Sequence, residues 1–250
     1  MRYLISAIII LAVLAACNSA KKTKTKTEEP KISIPETAPE IRQLVSFKKG
    51  GCFGRCPIYE ITIYENGMAL YNGERFTDRL GKHEKMLPAK TLTALKAAMG
   101  GIDFFSLPDK YESRIPDLAS STLTYYKGAK TKTIFWRENA DEGLKALGKQ
   151  IEAIAGIEEG WKLDENQALP AGAIANELIV NLQKEVDAKR FVASYSQYGM
   201  RVKERINPNG NYWLLEYDTN KIKPIVMLQK MNQNEQVIQA EFNKRLTQRN

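Results

Sequence analysis

Hydrophobic positions along this chain follow two rhythms, and each rhythm assigns elements. In IYEITIYENGMALYNG, residues 58–73, Tyr59, Ile61 and Ile63 alternate with Glu60, Thr62 and Tyr64. A period of two gives a strand one apolar face, and only Ile58 breaks it. Glu65-Asn66-Gly67 supplies the chemistry of a tight hairpin turn, with Met68 and Leu70 returning on the partner strand. Leu92, Leu95 and Met99 sit at helical spacing behind Pro88, and Gly100-Gly101 stops that helix. A second hairpin pairs residues 122–126 with 131–136 across Lys127-Gly128. Asn139 and Glu142 are spaced as a capping box ahead of a helix whose Leu144, Leu147, Ile151 and Ile154 form one stripe.

A polar stretch at 162–167 and the run Ala-Leu-Pro-Ala-Gly then interrupt the pattern. Beyond them Leu178, Val180 and Leu182 alternate as a strand. Phe191, Tyr195 and Tyr198 mark a helix closed by Gly199. Met200, Val202 and Ile206 give a strand that turns at Asn207-Pro208-Asn209-Gly210 into Trp213, Leu215 and Tyr217. Leu228 and Met231 mark another helix, and Ile238, Ala240 and Phe242 a last strand. The order βαββαβ is that of a ferredoxin-like split unit. The expected fold class is therefore α+β: an antiparallel-sheet domain with two helices at 41–161, a linker at 162–174, and a ferredoxin-like domain at 175–250.

The amino end reads differently. MRYLISAIIILAVLAAC carries Arg2, an apolar run over 3–13, and the small residues Ala15 and Ala16 before Cys17, the layout of a secretory signal peptide. The run is short of the roughly 20 residues of a membrane span. Leu14-Ala15-Ala16-Cys17 resembles the bacterial lipobox. That resemblance implies removal of residues 1–16 and a diacylglycerol on the Cys17 thiol, hence firm anchoring through several acyl chains. Residues 17–40 have no aromatic side chain and little apolar content, so they read as a tether too polar to pack. Its Lys21, Lys22, Lys24 and Lys26 follow the lipidation site where surface-exported lipoproteins carry acidic residues, which favours a periplasm-facing position in the envelope. The net charge of +8, from 37 basic and 29 acidic residues, is spread over both halves and does not cluster, which argues against a nucleic-acid footprint.

That compartment bears on GGCFGRCPIY, residues 50–59. In an oxidising envelope Cys52 and Cys56 are most simply a disulfide, whose five-residue loop restricts the unfolded chain by about 2 kcal/mol. CxxxCP is also similar to the metal-binding loop of thioredoxin-like copper chaperones, which leaves copper or thiol-redox chemistry as an alternative. The single histidine, His83, lies between charged neighbours as if on an exposed strand or turn. No phosphate loop, HExxH or GxSxG occurs. The pairs Asp141-Glu142 and Glu158-Glu159 suit helix ends better than catalysis, so no catalytic residue, metal or cofactor is expected. The run from Phe47 to Tyr59 looks like a family of uncharacterised bacterial envelope domains with a CFGxCPxY signature, a resemblance that implies no activity.

The second half, with NELIVNL, the GMRVKERINPNGNYWLLEYD hairpin and a terminal AEFNKR, resembles the prodomain of bacterial subtilisin-like proteases. The resemblance implies a sheet that docks on a protease and a carboxyl end that enters its cleft. Arg201, Lys203, Tyr212, Arg245 and Arg249 are the candidate partner-binding residues. Three readings result: a non-enzymatic anchored envelope protein of structural or partner-binding type, a binder or inhibitor in trans of a subtilisin-like protease, and a copper or thiol-redox protein.

Overall fold

The computed structural model describes residues 41–245 apart from 112 and 116. The expected signal at 1–16, Cys17, the expected tether at 17–40 and Arg249 lie outside the described residues. Strands β1 (Gln43–Lys49), β2 (Ile58–Tyr64), β3 (Met68–Arg75) and β4 (Gly81–Met86) open the fold, followed by helix α1 (Ala89–Gly100). After β5 (Lys110–Tyr111), β6 (Ser121–Lys127) and β7 (Lys130–Trp136) come helix α2 (Glu142–Gly156) and β8 (Lys162–Leu163). They form one sheet in the order β5-β7-β6-β1-β2-β3-β4-β8. Its pairs are antiparallel except the short β5–β7 pair.

The alternation read from the sequence decides which face is covered. Tyr59, Ile61 and Ile63 are buried in one core with Phe47, Leu123, Ile134 and Trp136, against Leu95 and Met99 of α1 and Leu144, Leu147, Ile151 and Ile154 of α2. The first hairpin turns at Gly67, whose φ of 90° suits glycine, while Asn66 Oδ1 accepts from the Met68 amide at 3.0 Å. The cap of α2 differs from expectation. Asp141, not Asn139, is the N-cap, and its carboxylate accepts from the Leu144 amide. Asp141 stands immediately before the first helical residue, from which its short side chain meets the third amide of the helix.

The second half consists of β9 (Ala173–Leu182), α3 (Ala188–Ala193), β10 (Arg201–Asn207), β11 (Tyr212–Glu216), α4 (Pro224–Asn232) and β12 (Val237–Lys244). Its sheet runs β10-β11-β9-β12, every neighbour antiparallel. Leu178, Val180 and Leu182 face a second core with Phe191, Tyr195, Leu215, Tyr217, Leu228, Met231 and Phe242. Three expected details differ. The helix holding Phe191 stops at Ala193, and Tyr198 falls in a separate 3-10 turn closed by Gly199 at φ 65°. Ile206 and Ile238 are exposed, because register shifts in both edge strands rotate them out of the alternation. Strand β9 begins at Ala173, two residues earlier than expected.

Residues 162–174 do more than connect. Leu163 pairs with His83, the Asp164 amide donates to Lys82 O at 2.9 Å, and Gln167 Oε1 accepts from the Lys82 amide at 2.8 Å. From Ile41 onward both sheets belong to one compact unit.

Candidate functional site

Two places gather the residues singled out from the sequence. The first is the loop between β1 and β2, where Cys52 and Cys56 form a disulfide with their Cα atoms 5.7 Å apart. Main-chain bonds fix the loop against its neighbour: Gly50 N donates to Ser120 O at 2.8 Å and Phe53 N to Asp117 O at 3.0 Å. Phe53 at the tip is 88% exposed. Arg55 reaches into the second half, where Nη2 donates to Ile238 O on β12 at 2.9 Å. Its guanidinium also lies 5.4 Å from the ring centre of Phe76, and that of Arg75 lies 5.1 Å from the same ring. Phe76 has φ 53°, the one positive value at a non-glycine position among the described residues. These groups rim a groove of about 390 Å³ between residues 74–78 and β12, with Leu80, Leu228 and Phe242 among its lining.

His83 stands apart from the cysteines. The sequence placed it on an exposed strand or turn, yet it is buried in β4, edge-on to Tyr71 at 6.3 Å, with Nδ1 3.3 Å from Gly81 O. Tyr71 on β3 and Leu163 on β8 are its neighbours in the sheet. Burial holds its pKa below the ordinary 6.5, and the Arg79 guanidinium adds to that effect. Among the described residues no group of three His, Cys, Asp or Glu side chains is arranged to hold a metal ion.

The second place is the face of the four-stranded sheet opposite its core. By alternation with the core residues it carries Glu177, Ile179 and Asn181 of β9 and Tyr212, Leu214 and Glu216 of β11. Arg201 donates from both Nε, at 2.9 Å, and Nη2, at 2.6 Å, to the single oxygen Oε2 of Glu216. Lys203 pairs with Glu177, whose other oxygen accepts from Asn243 Nδ2 at 2.6 Å. The bonds from Lys203 and Asn243 hold the Glu177 carboxyl below its ordinary range. Leu214 is buried although it belongs to neither core, and Ile179 beside it is half-buried. The face therefore presents exposed Tyr212 and half-buried Ile179 over buried Leu214, with a border of ion pairs.

Of the candidate partner residues, Arg201, Lys203 and Tyr212 share this face. Arg245 lies past the end of β12, its amide bonded to Gly172 O at 2.9 Å, and Arg249 is outside the described residues. Glu177, Ile179, Leu214 and Asn243 were not singled out from the sequence. The outward set 177, 179, 181 was implicit in the alternation that sent 178, 180 and 182 inward.

With the geometry of both places in view, the family comparison falls on the first. Residues 43–155 match the family described as Domain of unknown function (DUF6438). The DUF6438 span runs from β1 through α2, so it holds both cysteines, Arg55, Phe76 and His83. It ends before β8 and before any part of the four-stranded sheet. No curated protein matches the chain.

Proposed function

We propose that this is a non-enzymatic, lipid-anchored protein of the bacterial cell envelope that holds a protein partner on the core-opposed face of its four-stranded sheet. The observation that supports this reading is exposed Tyr212 beside half-buried Ile179, on a face outside both cores and bordered by Arg201–Glu216 and Lys203–Glu177. Protein interfaces have that anatomy, an apolar middle within a polar rim, with tyrosine and arginine enriched. The anchor rests on the lipobox resemblance of residues 14–17 and places the lipid on Cys17.

A second reading narrows the partner to a subtilisin-like protease. Support for that reading comes from the sheet order β10-β11-β9-β12, in which the unit's second, third, first and fourth strands follow one another, an order compatible with the ferredoxin-like βαββαβ unit expected from the sequence. The resemblance to subtilase prodomains assigns docking to a sheet face, and this sheet has one such face free of its core.

In-cell photo-cross-linking tests the proposal, with a photoreactive residue at Tyr212 on the face or at Lys189 on α3. Adducts to a defined protein from position 212 and not from 189 are expected. Absence of adducts at 212 in the producing cell, or equal adducts at both positions, sinks the reading. Titrating the protein into purified envelope subtilases separates the two readings: loss of protease activity at about micromolar concentration favours the second. Labelling with a fatty-acid analogue, absent in Cys17→Ser, checks the anchor.

A further inference from the structure

We propose that the Cys52–Cys56 disulfide is a redox latch: closed, it holds Arg55 across the groove between residues 74–78 and β12, and its reduction by a dithiol frees Arg55 and opens the groove. Three observations meet at this point. Both cysteines are partly exposed, so a thiolate can attack either sulfur. Arg55 lies inside the five-residue ring, directly before Cys56, and the closed ring limits where its side chain can start. From there the guanidinium makes two contacts across the groove, a charge-assisted bond to Ile238 O at 2.9 Å and a cation–π contact with Phe76 at 5.4 Å.

Phe76 gives the latch something to hold. A bulky residue at φ 53° is strained, and such strain persists only where surrounding contacts over-determine it. Two guanidiniums lie against its ring, Arg55 from the disulfide loop and Arg75 from the adjoining residue, while Thr77 is tied to the Tyr71 hydroxyl and Glu74 to Lys48. Freeing Arg55 removes one of the two, and the 74–78 wall gains a route to relax. The opposite wall is already secured elsewhere along β12. Asn232 of α4 takes Ala240 N–H at 2.9 Å and donates to Ala240 O at 2.9 Å, which leaves Ile238 O as the place where Arg55 closes the groove.

The chemistry balances. A dithiol gives two electrons and two protons, its own sulfurs join as a disulfide, and Cys52 and Cys56 become thiols.

The test uses the whole chain carrying Cys17→Ser, so that two cysteines remain, equilibrated in buffers of reduced and oxidised dithiothreitol and read by alkylation and mass. Linkage is reciprocal: if the disulfide holds Arg55 in place, the contacts of Arg55 hold the disulfide closed. Arg55→Ala is expected to shift the equilibrium about three- to tenfold toward the dithiol, the worth of one hydrogen bond. Arg55→Lys, which keeps the charge without the planar guanidinium, is expected to shift it less. Equal equilibria in the parent and Arg55→Ala overturn the proposal. Hydrogen exchange gives an independent reading. Reduction is expected to speed exchange in peptides covering 74–78 and 237–244 of the parent, and to add little in Arg55→Ala. Unchanged exchange in those peptides on reducing the parent also overturns it.

Discussion

A histidine enclosed in a sheet is held neutral, and that has a sign in pH. Because burial lowers the folded pKa of His83 below 6.5, the unfolded chain takes up its proton first as the solution is acidified. The stability tied to neutral His83 is complete above 6.5 and is lost as pH falls through that value toward the folded pKa. Urea midpoints of the parent should therefore fall between about pH 7.5 and 5, and His83→Gln should flatten that slope. A slope equal in both proteins would mean that other groups carry it. Glu177 is separated by its window: its pKa lies below the ordinary 4.5, so its contribution is lost only in stronger acid. The charged neighbours Lys82 and Glu84 made His83 look exposed in the sequence, but they alternate with it, and the alternation was the better guide. Two glycines make a similar point about what sequence leaves out. A Cβ on Gly73 would stand 1.8 Å from Arg79 O, and one on Gly50 would stand 2.1 Å from Ser120 Oγ. The first obstacle is main chain and cannot turn aside; the second is a hydroxyl that can rotate. Gly73→Ala should cost about 2 kcal/mol or more and Gly50→Ala well under half of that, measured by denaturant unfolding. The tight fit at Gly73 arises where the chain folds back at 77–79, a contact invisible to any local pattern.

Elements were legible where one periodicity ran long enough to outvote its exceptions. The hairpins at 58–73 and 122–136, the stripe of α2 and the strand at 178–182 all follow from alternation or helical spacing plus a turn residue. What the pattern could not supply was adjacency. Nothing within β1 says that it separates β6 from β2, or that residues 162–163 complete the edge beyond β4. Pairing is decided by which faces can be buried together, a property of several segments at once. Element ends were also misjudged, because caps are single side chains. For α2 the competition between Asn139 and Asp141 can be measured. Asp141 accepts from Leu144 N at 3.1 Å and adds a negative charge at the positive end of the helix. Asp141→Ala should lower unfolding stability by about 1 kcal/mol, whereas Asn139→Ala should change it by less than about 0.5 kcal/mol. The reverse order would restore the capping box expected from the sequence.

At the scale of the whole molecule, the connection between β3 and β4 joins the halves by sending successive residues in opposite directions. Arg79 turns to the first half, its guanidinium over Tyr71 and Trp161 and bonded to the Ala155 carbonyl at the end of α2. Leu80 turns to the second, where it is buried in the core of Leu178, Ile225 and Phe242. Gly81 follows at φ 79°, and the space beside it is filled by Gln167 and Ile225, so the two halves meet there without a gap. A chain read as two domains and a linker from composition therefore has a core residue of the second half encoded within the first. This gives an outcome on which the two descriptions differ. Truncating a buried leucine costs about 2–5 kcal/mol through lost transfer energy and the cavity left behind. If the halves fold as one cooperative unit, Leu80→Ala should lower the protection of β9 and β11 amides in native-state hydrogen exchange by an amount of that order, together with that of β1 and β2. If they open separately, protection should fall in β9 and β11 and hold in β1 and β2. Unchanged protection in β9 and β11 would mean that Leu80 is dispensable to the core it enters, and the tie between the halves would then rest on Arg55, residues 162–174 and the packing of Ile225 beside Gly81.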